Sequence, residues 1–291
     1  MTRPRRLHHP GVEPSCPRCG GDGLIVEREG EHAVAHVCVC ASSKPCPMCD
    51  DTRWVRGDKP PDGRKAPVTR CDCHRFEQRL ALLSRAHLPG RLAHCTFDNY
   101  SITNPVEQAE PYGIARALAH GFKPGGINRG FVLWGPVGRG KTHLLAATVR
   151  VLVLEHGVEA RFVEFSHLLS ALKGRFDAGK GAAAILDELV AVEVLAIDEL
   201  GKGMLTEWEL SVIDELVSRR YNAARTVLAT SNYKPGPPTG VARPNLADNR
   251  PEMQPSLSDR VGERVHSRLA EMCEIRYLGG KDWRQRPQAR W

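Results

Sequence analysis

Residues 130–142 read GFVLWGPVGRGKT, a short apolar run followed by a glycine-rich turn that closes on Gly140-Lys141-Thr142. The run Gly130–Trp134 has the length and composition of a buried strand, and Lys141–His156 has helical character, so the turn joins a strand to a helix. Gly135, Pro136, Val137, Gly138, Arg139, Gly140, Lys141 and Thr142 fit the spacing G-x-x-x-x-G-K-[ST]. The glycines of such a turn let backbone N–H groups face inward around an anion. The following helix presents its positive end to the same anion. Lys141 is placed to reach the β- and γ-phosphates of ATP, and Thr142 to hold Mg²⁺ through its hydroxyl. A chance match in a glycine-rich loop would lack the strand before it and the helix after it.

Outward from this turn, strands and helices alternate. Strands are expected at 160–165, 192–197, 226–230 and 274–278. Helices are expected at 166–190, 207–221 and 257–272, with a Pro/Asn-rich loop at 235–256. Alternation of this kind predicts an α/β fold, a parallel sheet with helices on both faces. The run Val194–Glu199 (VLAIDE) places Asp198 at the exposed end of a buried strand, 57 residues after Lys141. Asp198 is suited to the Mg²⁺ shell, and Glu199 to polarising water for attack on the γ-phosphate. Alone, the pair reads equally well as a solvated strand end. Thr230-Ser231-Asn232 closes the fourth strand. A polar side chain there can touch both water and γ-phosphate, with Asn232 preferred to Ser231, although a plain strand-to-loop cap uses the same residue types. Arg260, Arg264 and Arg268 recur at four-residue intervals beside Val261, Val265, Leu269 and Met272. On composition alone this is a solvated amphipathic helix. The functional alternative is an arginine supplied in trans to a neighbouring subunit's γ-phosphate, which would tie hydrolysis to self-association.

Eight of the ten cysteines fall within residues 16–73 as an internal repeat. Cys16-x2-Cys19 is answered by Cys38-x-Cys40, and Cys46-x2-Cys49 by Cys71-x-Cys73. Eighteen and 21 residues separate the inner cysteines, room for a two-stranded hairpin in each copy, with turns at Glu29-Gly30-Glu31 and at 60–63. Paired knuckles of this kind suit tetrahedral Zn²⁺. The repeat favours sequential assignment: Cys16, Cys19, Cys38 and Cys40 to one ion, Cys46, Cys49, Cys71 and Cys73 to a second. A module of this size has too little core to fold securely without such staples. Free or redox cysteines are the alternative, and His32, His36 and His74 are competing ligands. Cys95 and Cys273 stand outside the pattern as ordinary semi-buried residues. Trp54 and Val55 are read as the second hairpin's small core in preference to an exposed patch. Arg53, Arg56, Arg64, Lys65 and Arg70 either meet phosphate or solvate the ribbon.

The formal charge is +7, but eight thiolates holding two divalent zinc ions would leave about +3, so net charge argues only weakly for nucleic acid. The basic start of the chain is followed by no apolar stretch, and no run approaches a membrane span. A cytoplasmic protein is expected. The expected organisation is a disordered tail at 1–15, the cysteine module at 16–73, a helical connector at 74–94 built on Phe76, Leu80 and Leu83, an ATPase domain at 95–285 and a tail at 286–291.

Gly130–His143, Val194–Gly201, Arg219–Tyr233 and Gly262–Met272 (GERVHSRLAEM) are together similar to the DnaC/DnaI/IstB branch of AAA+ ATPases, over about residues 95–285. The resemblance implies His143 as part of the nucleotide stretch, Asn232 or Ser231 as a sensor, Arg268 as the arginine finger and Arg264 as its near neighbour. It also implies ATP hydrolysis in an oligomer, with a replicative helicase and single-stranded DNA as partners. In the IstB sub-branch it implies a transposition helper on duplex DNA instead. A zinc-ribbon adaptor that uses ATP only to set its shape is the third reading. The long insertion at 235–256 and the double cysteine repeat depart from the branch pattern, although DnaI-type loaders carry an N-terminal zinc domain. The stretch 16–23 also resembles the knuckles of the DnaJ cysteine-rich region.

Overall fold

The computed structural model of the chain describes residues 8–58, 65–177, 181, 183–203, 206–236 and 255–285. The expected turn at 60–63, most of the loop expected at 235–256, and the expected tails at 1–7 and 286–291 lie outside the described residues. Two compact units are present: residues up to His94 with Arg150–Val158, and Cys95–Val149 with the chain from Glu159 onward.

The first unit holds two antiparallel ribbons, β1 (Leu24–Glu29) with β2 (His32–Val37), and β3 (Trp54–Arg56) with β4 (Val68–Arg70). A four-residue helix, α1 (Val39–Ser42), follows β2. Helix α2 (Asp72–Arg85) buries Cys73, Phe76, Leu80 and Leu83 on one face, the stripe that its spacing predicts. It is no free-standing connector, however. Its Ser84 hydroxyl accepts a hydrogen bond from the Ala35 N–H at 3.1 Å, and the Leu88 carbonyl accepts one from Ala33 at 2.7 Å, so helix and first ribbon pack as one body. Residues 8–15 are not a disordered tail either. His9 is buried, its ring edge-on to Phe76 at 5.4 Å, and its Nδ1 accepts from the Gly11 N–H. Their polar composition concealed a contact that a single histidine makes.

In the second unit, five parallel strands lie in the order β6-β7-β8-β5-β9: β5 (Gly130–Trp134), β6 (Ala160–Glu164), β7 (Val194–Asp198), β8 (Thr226–Ser231) and β9 (Cys273–Tyr277). The central strands β7 and β8 are buried at every position, as near-continuous apolar runs require when helices cover both faces. The flanking helices are α3 (Pro105–Gly121), α4 (Lys141–Val151), α5 (Phe165–Asp177), α6 (Ala183–Ala191), α7 (Glu207–Asn222), α8 (Leu257–Val261) and α9 (Glu263–Met272). A single π-helical turn at Leu152–His156 belongs to the first unit. Helix α3 starts where the Asn104 side chain accepts the Val106 N–H and Pro105 supplies a first residue that needs no donor.

The helix expected over 257–272 is two helices. Gly262 sits between them at φ 87°, a left-handed value that ends α8 and begins α9. The arginine stripe is therefore divided, with Arg260 on α8 and Arg264 and Arg268 on α9.

Arg220 on α7 is fully buried. Its guanidinium donates to the carbonyls of Leu189, Val190, Val192, Glu193 and Thr226, at 2.5–3.5 Å. It thereby ties the end of α6, the entry to β7 and the start of β8 together. Burial draws its pKa down to about 9. A buried donor answering this many carbonyls is costly to remove. Arg220→Met should lower the unfolding free energy by about 3–5 kcal/mol, read as a shift in the urea midpoint.

Candidate nucleotide site and cysteine clusters

Strands β7, β8 and β5 are neighbours, so their carboxyl ends bring three polar segments side by side at one edge of the sheet. Asp198 ends β7. It is buried, against the expectation of an exposed strand end. Its carboxylate accepts the Thr142 hydroxyl at 2.8 and 3.1 Å and the Thr230 hydroxyl at 2.6 Å. One carboxylate therefore joins the first turn of α4 to the end of β8. The Thr142 hydroxyl and Asp198 together are an oxygen pair suited to a magnesium ion that keeps several of its waters.

The loop Gly135–Gly140 wraps the start of α4. Gly138 and Gly140 hold φ of 80° and 90°, and each is crowded on the side where a Cβ would point, by Asp282 and by the Tyr100 ring. No other residue type fits either place without strain. Lys141 is buried, and its ammonium donates to the Gly135 and Pro136 carbonyls at 2.8 Å each. Burial lowers its pKa to about 8, despite the opposing pull of Asp198 and Glu199. The Tyr100 hydroxyl donates to the Arg139 carbonyl at 3.3 Å, and the Trp283 N–H to the Gly138 carbonyl at 3.0 Å, so segments from both ends of this unit brace the loop. His143 turns its Nε2 to the Thr96 carbonyl at 2.8 Å and lies edge-on to Tyr100. Val137 and Pro136 are exposed on the loop's outer side.

Glu199 takes a left-handed backbone, φ 56°, unusual for a residue with a side chain. The Thr230 hydroxyl accepts its N–H at 3.0 Å. Its carboxylate is ion-paired with Lys202, which also lies 3.6 Å from Glu164. The hydrogen bond to Glu199 raises the Lys202 pKa. Of the expected sensor residues, Ser231 is buried and donates to the Leu200 carbonyl at 2.9 Å, whereas Asn232 is exposed just beyond the strand. Thr230, which touches both Asp198 and Glu199, was not singled out from the sequence. Its signal is a polar residue directly after the apolar run Val227–Ala229.

The arginines diverge. Arg260 donates to the Gly201 carbonyl at 2.8 Å and lies over the Tyr233 ring. Arg268 pairs with Asp214 of α7 at 2.8 Å and is largely covered, while Arg264 reaches the same carboxylate only at 3.7 Å and is 77% exposed.

In the first unit, Cys16, Cys19, Cys38 and Cys40 form one group of sulfurs, and Cys46, Cys49, Cys71 and Cys73 a second, each with all four atoms within 4.8 Å of one another. The sulfur contacts are 3.8 and 3.6 Å in the first group and 3.8 and 3.5 Å in the second. A tetrahedron with Zn–S bonds of about 2.3 Å has edges of about 3.8 Å. All eight are free thiols. Backbone N–H groups of Cys19 and Arg18 draw Cys16 down to about 7. Neither group includes a histidine; His36 pairs with Glu29, and His32 stacks on His87. Val55 packs against the second group, but Trp54 does not, and it is 45% exposed. The expectation of both as core holds for Val55 alone, because adjacent strand residues point to opposite faces.

A strand, a glycine-rich loop and a helix, with a threonine hydroxyl held to an aspartate on a neighbouring parallel strand, define a nucleotide-binding domain of the P-loop class. Residues 86–236, just over half of the chain, match the family model described as IstB-like ATP binding protein. The chain belongs to this family. It is 31% identical over 157 residues to the uncharacterized protein YdaV of Escherichia coli K12, covering 53% of this chain and 61% of that protein. It is 27% identical over 173 residues to the replicative helicase loader DnaC of the same strain, covering 59% and 63%. The chain thus spans about three fifths of the length of these curated relatives. Among solved structures, the DnaC helicase loader superposes with a TM-score of 0.54 at 28% identity, over 65% of this chain and 99% of that one. A structure of DnaI shares the fold, with a TM-score of 0.50 at 18% identity. No described helix is long and apolar enough to cross a membrane.

Thr230 anchors the site through two bonds. Thr230→Val should cost about 1–3 kcal/mol, because Asp198 and the Glu199 N–H each lose a buried partner. Thermal unfolding against Thr230→Ser, which keeps the hydroxyl, checks this.

Proposed function

We propose that this protein hydrolyses ATP to control the loading or remodelling of a replicative helicase on single-stranded DNA. The observation that supports it most is the Thr142–Asp198–Thr230 contact beneath the glycine-rich loop, in a chain similar to a replicative helicase loader. In this reading the loop N–H groups and Lys141 hold the phosphates, and Lys141 exchanges its two loop carbonyls for phosphate oxygens. Thr142 and Asp198 would hold Mg²⁺, which supplies charge neutralisation at the phosphates. Glu199 orients the attacking water once its carboxylate leaves Lys202. Asn232 is the sensor, being free of the strand where Ser231 is engaged. Arg264 and Arg268 supply the arginine in trans from a neighbouring subunit. Arg264 is the more exposed of the two, so it is the first to meet a partner, and Arg268 must first give up Asp214.

Lys141→Ala should abolish ATP binding, and Glu199→Gln should bind ATP but lose hydrolysis by about a hundredfold or more. Arg264→Ala and Arg268→Ala should spare ATP binding by the monomer and slow turnover only where subunits associate. Pull-down of a replicative helicase with ATP tests the client. Intact ATPase activity with no helicase binding, together with ATP-dependent filaments on duplex DNA, would assign the transposition-helper role instead. Slow turnover indifferent to DNA and helicase would favour the adaptor.

The domain scheme proposed is a cysteine module over 16–73 with α2 as part of it, and an ATPase domain over 95–285. The two cysteine groups would each hold a structural Zn²⁺, with the sulfurs already at tetrahedral spacing. Metal analysis of the purified chain should return two Zn²⁺, and chelation should unfold the module while leaving ATP binding in place.

A further inference from the structure

The ribbon β3–β4 has two unlike faces. Register pairs Trp54 with Arg70, Val55 with Thr69 and Arg56 with Val68. Directly opposed residues share a face, and alternate residues along a strand share it too. Trp54, Arg56, Val68 and Arg70 therefore form one patch, two residues wide and two deep. Val55 takes the other side and packs on Cys46, Cys49, Cys71 and Cys73. All four patch residues are exposed.

A ribbon this short has little area to bury, and an indole in water is costly to leave uncovered. Trp54 is not filling a core. The Arg70 guanidinium lies 3.9 Å from its ring centroid, stacked against it. Among the described residues, neither Arg56 nor Arg70 pairs with a carboxylate. Asp51 accepts the Cys46 N–H, and Asp72 pairs with Arg75. Arg53, between them in sequence, is spent on Glu77 at 3.0 Å.

We infer that this face binds a single strand of nucleic acid, a base stacking on the Trp54–Arg70 pair and a phosphate lying on Arg56. An aromatic ring gives sequence-tolerant stacking, and uncompensated guanidinium groups beside it match a chain that carries a π-face and a negative charge at every residue. An acidic protein segment would satisfy the arginines but leave the indole and its guanidinium sandwich unexplained. The inference rests on the proposed action on single-stranded DNA, and it assigns a contact outside the ATPase unit.

The test uses the full zinc-loaded chain and fluorescein-labelled oligo(dT), followed by anisotropy at two salt concentrations. Trp54→Ala should weaken binding by about tenfold, while Trp54→Phe retains most of it. Arg56→Glu and Arg70→Glu should weaken it and flatten its salt dependence. Photocrosslinking with an oligonucleotide carrying 5-iodouracil should label Trp54. If the wild-type chain binds no oligo(dT), the single-strand reading fails as a whole. If it binds, and Trp54→Ala and Arg56→Glu bind equally well with no crosslink at Trp54, only the ribbon assignment is overturned. Loss of helicase capture in Trp54→Ala with unchanged DNA affinity would make the face a protein-docking surface and overturn it equally.

Discussion

The second unit is organised around one buried carboxylate. Asp198 lies out of water between α4 and β8, and a carboxylate so placed must be answered by donors. Thr142 and Thr230 answer it. The requirement fixes where the glycine-rich loop starts its helix, which strand stands beside β7, and how far β8 extends before it turns. The same Thr230 hydroxyl receives the Glu199 N–H and so helps hold a backbone conformation that residues with side chains avoid. Strain at Glu199 is thus supported by the group that satisfies its neighbour.

Arg220 performs a complementary task at the opposite ends of the same strands. A guanidinium keeps its charge and has five donors in a rigid fork, so it can collect carbonyls from several turns at once. With Asp198 at the carboxyl ends and Arg220 near the amino ends, both edges of the central strands are pinned by polar groups. Apolar packing alone, which is tolerant of sliding, would not fix this register.

Much of this was legible in the sequence, and the reason is periodicity. The runs 130–134, 194–198 and 226–230 are apolar enough to be read as central strands, and the glycine–lysine–threonine turn is read from spacing. The cysteine groups were readable because the same spacing occurs twice. What escaped depended on contacts remote in sequence or on one backbone angle. Helix α3 carries Pro111 in its interior, which argues against a helix until its other partners are known. Gly262 fits a smooth arginine stripe equally well whether or not it adopts a positive φ, and only the fold shows that it does. Thr230 is masked by Ser231 and Asn232, whose turn-forming character is the stronger signal at a strand end, and only the fold brings its hydroxyl to Asp198. Trp54 and Val55 read alike in the sequence, as core in preference to an exposed patch, whereas the ribbon's register gives each a different face.

The joint at Gly262 carries a further consequence. Helix α8 is closed at its start by its own Ser256–Asp259 box and is tied through Arg260 to Gly201, two residues past Glu199. Helix α9 is tied instead to α7 through Arg268 and Asp214. The two halves of the arginine stripe therefore answer to different masters. Arg260 is fixed by the loop after Glu199, and the positive φ at Gly262 separates it from the helix that carries Arg264 and Arg268. The stripe is thus two separately anchored parts, one held by the loop that follows Glu199 and the other by α7, with a single glycine between them.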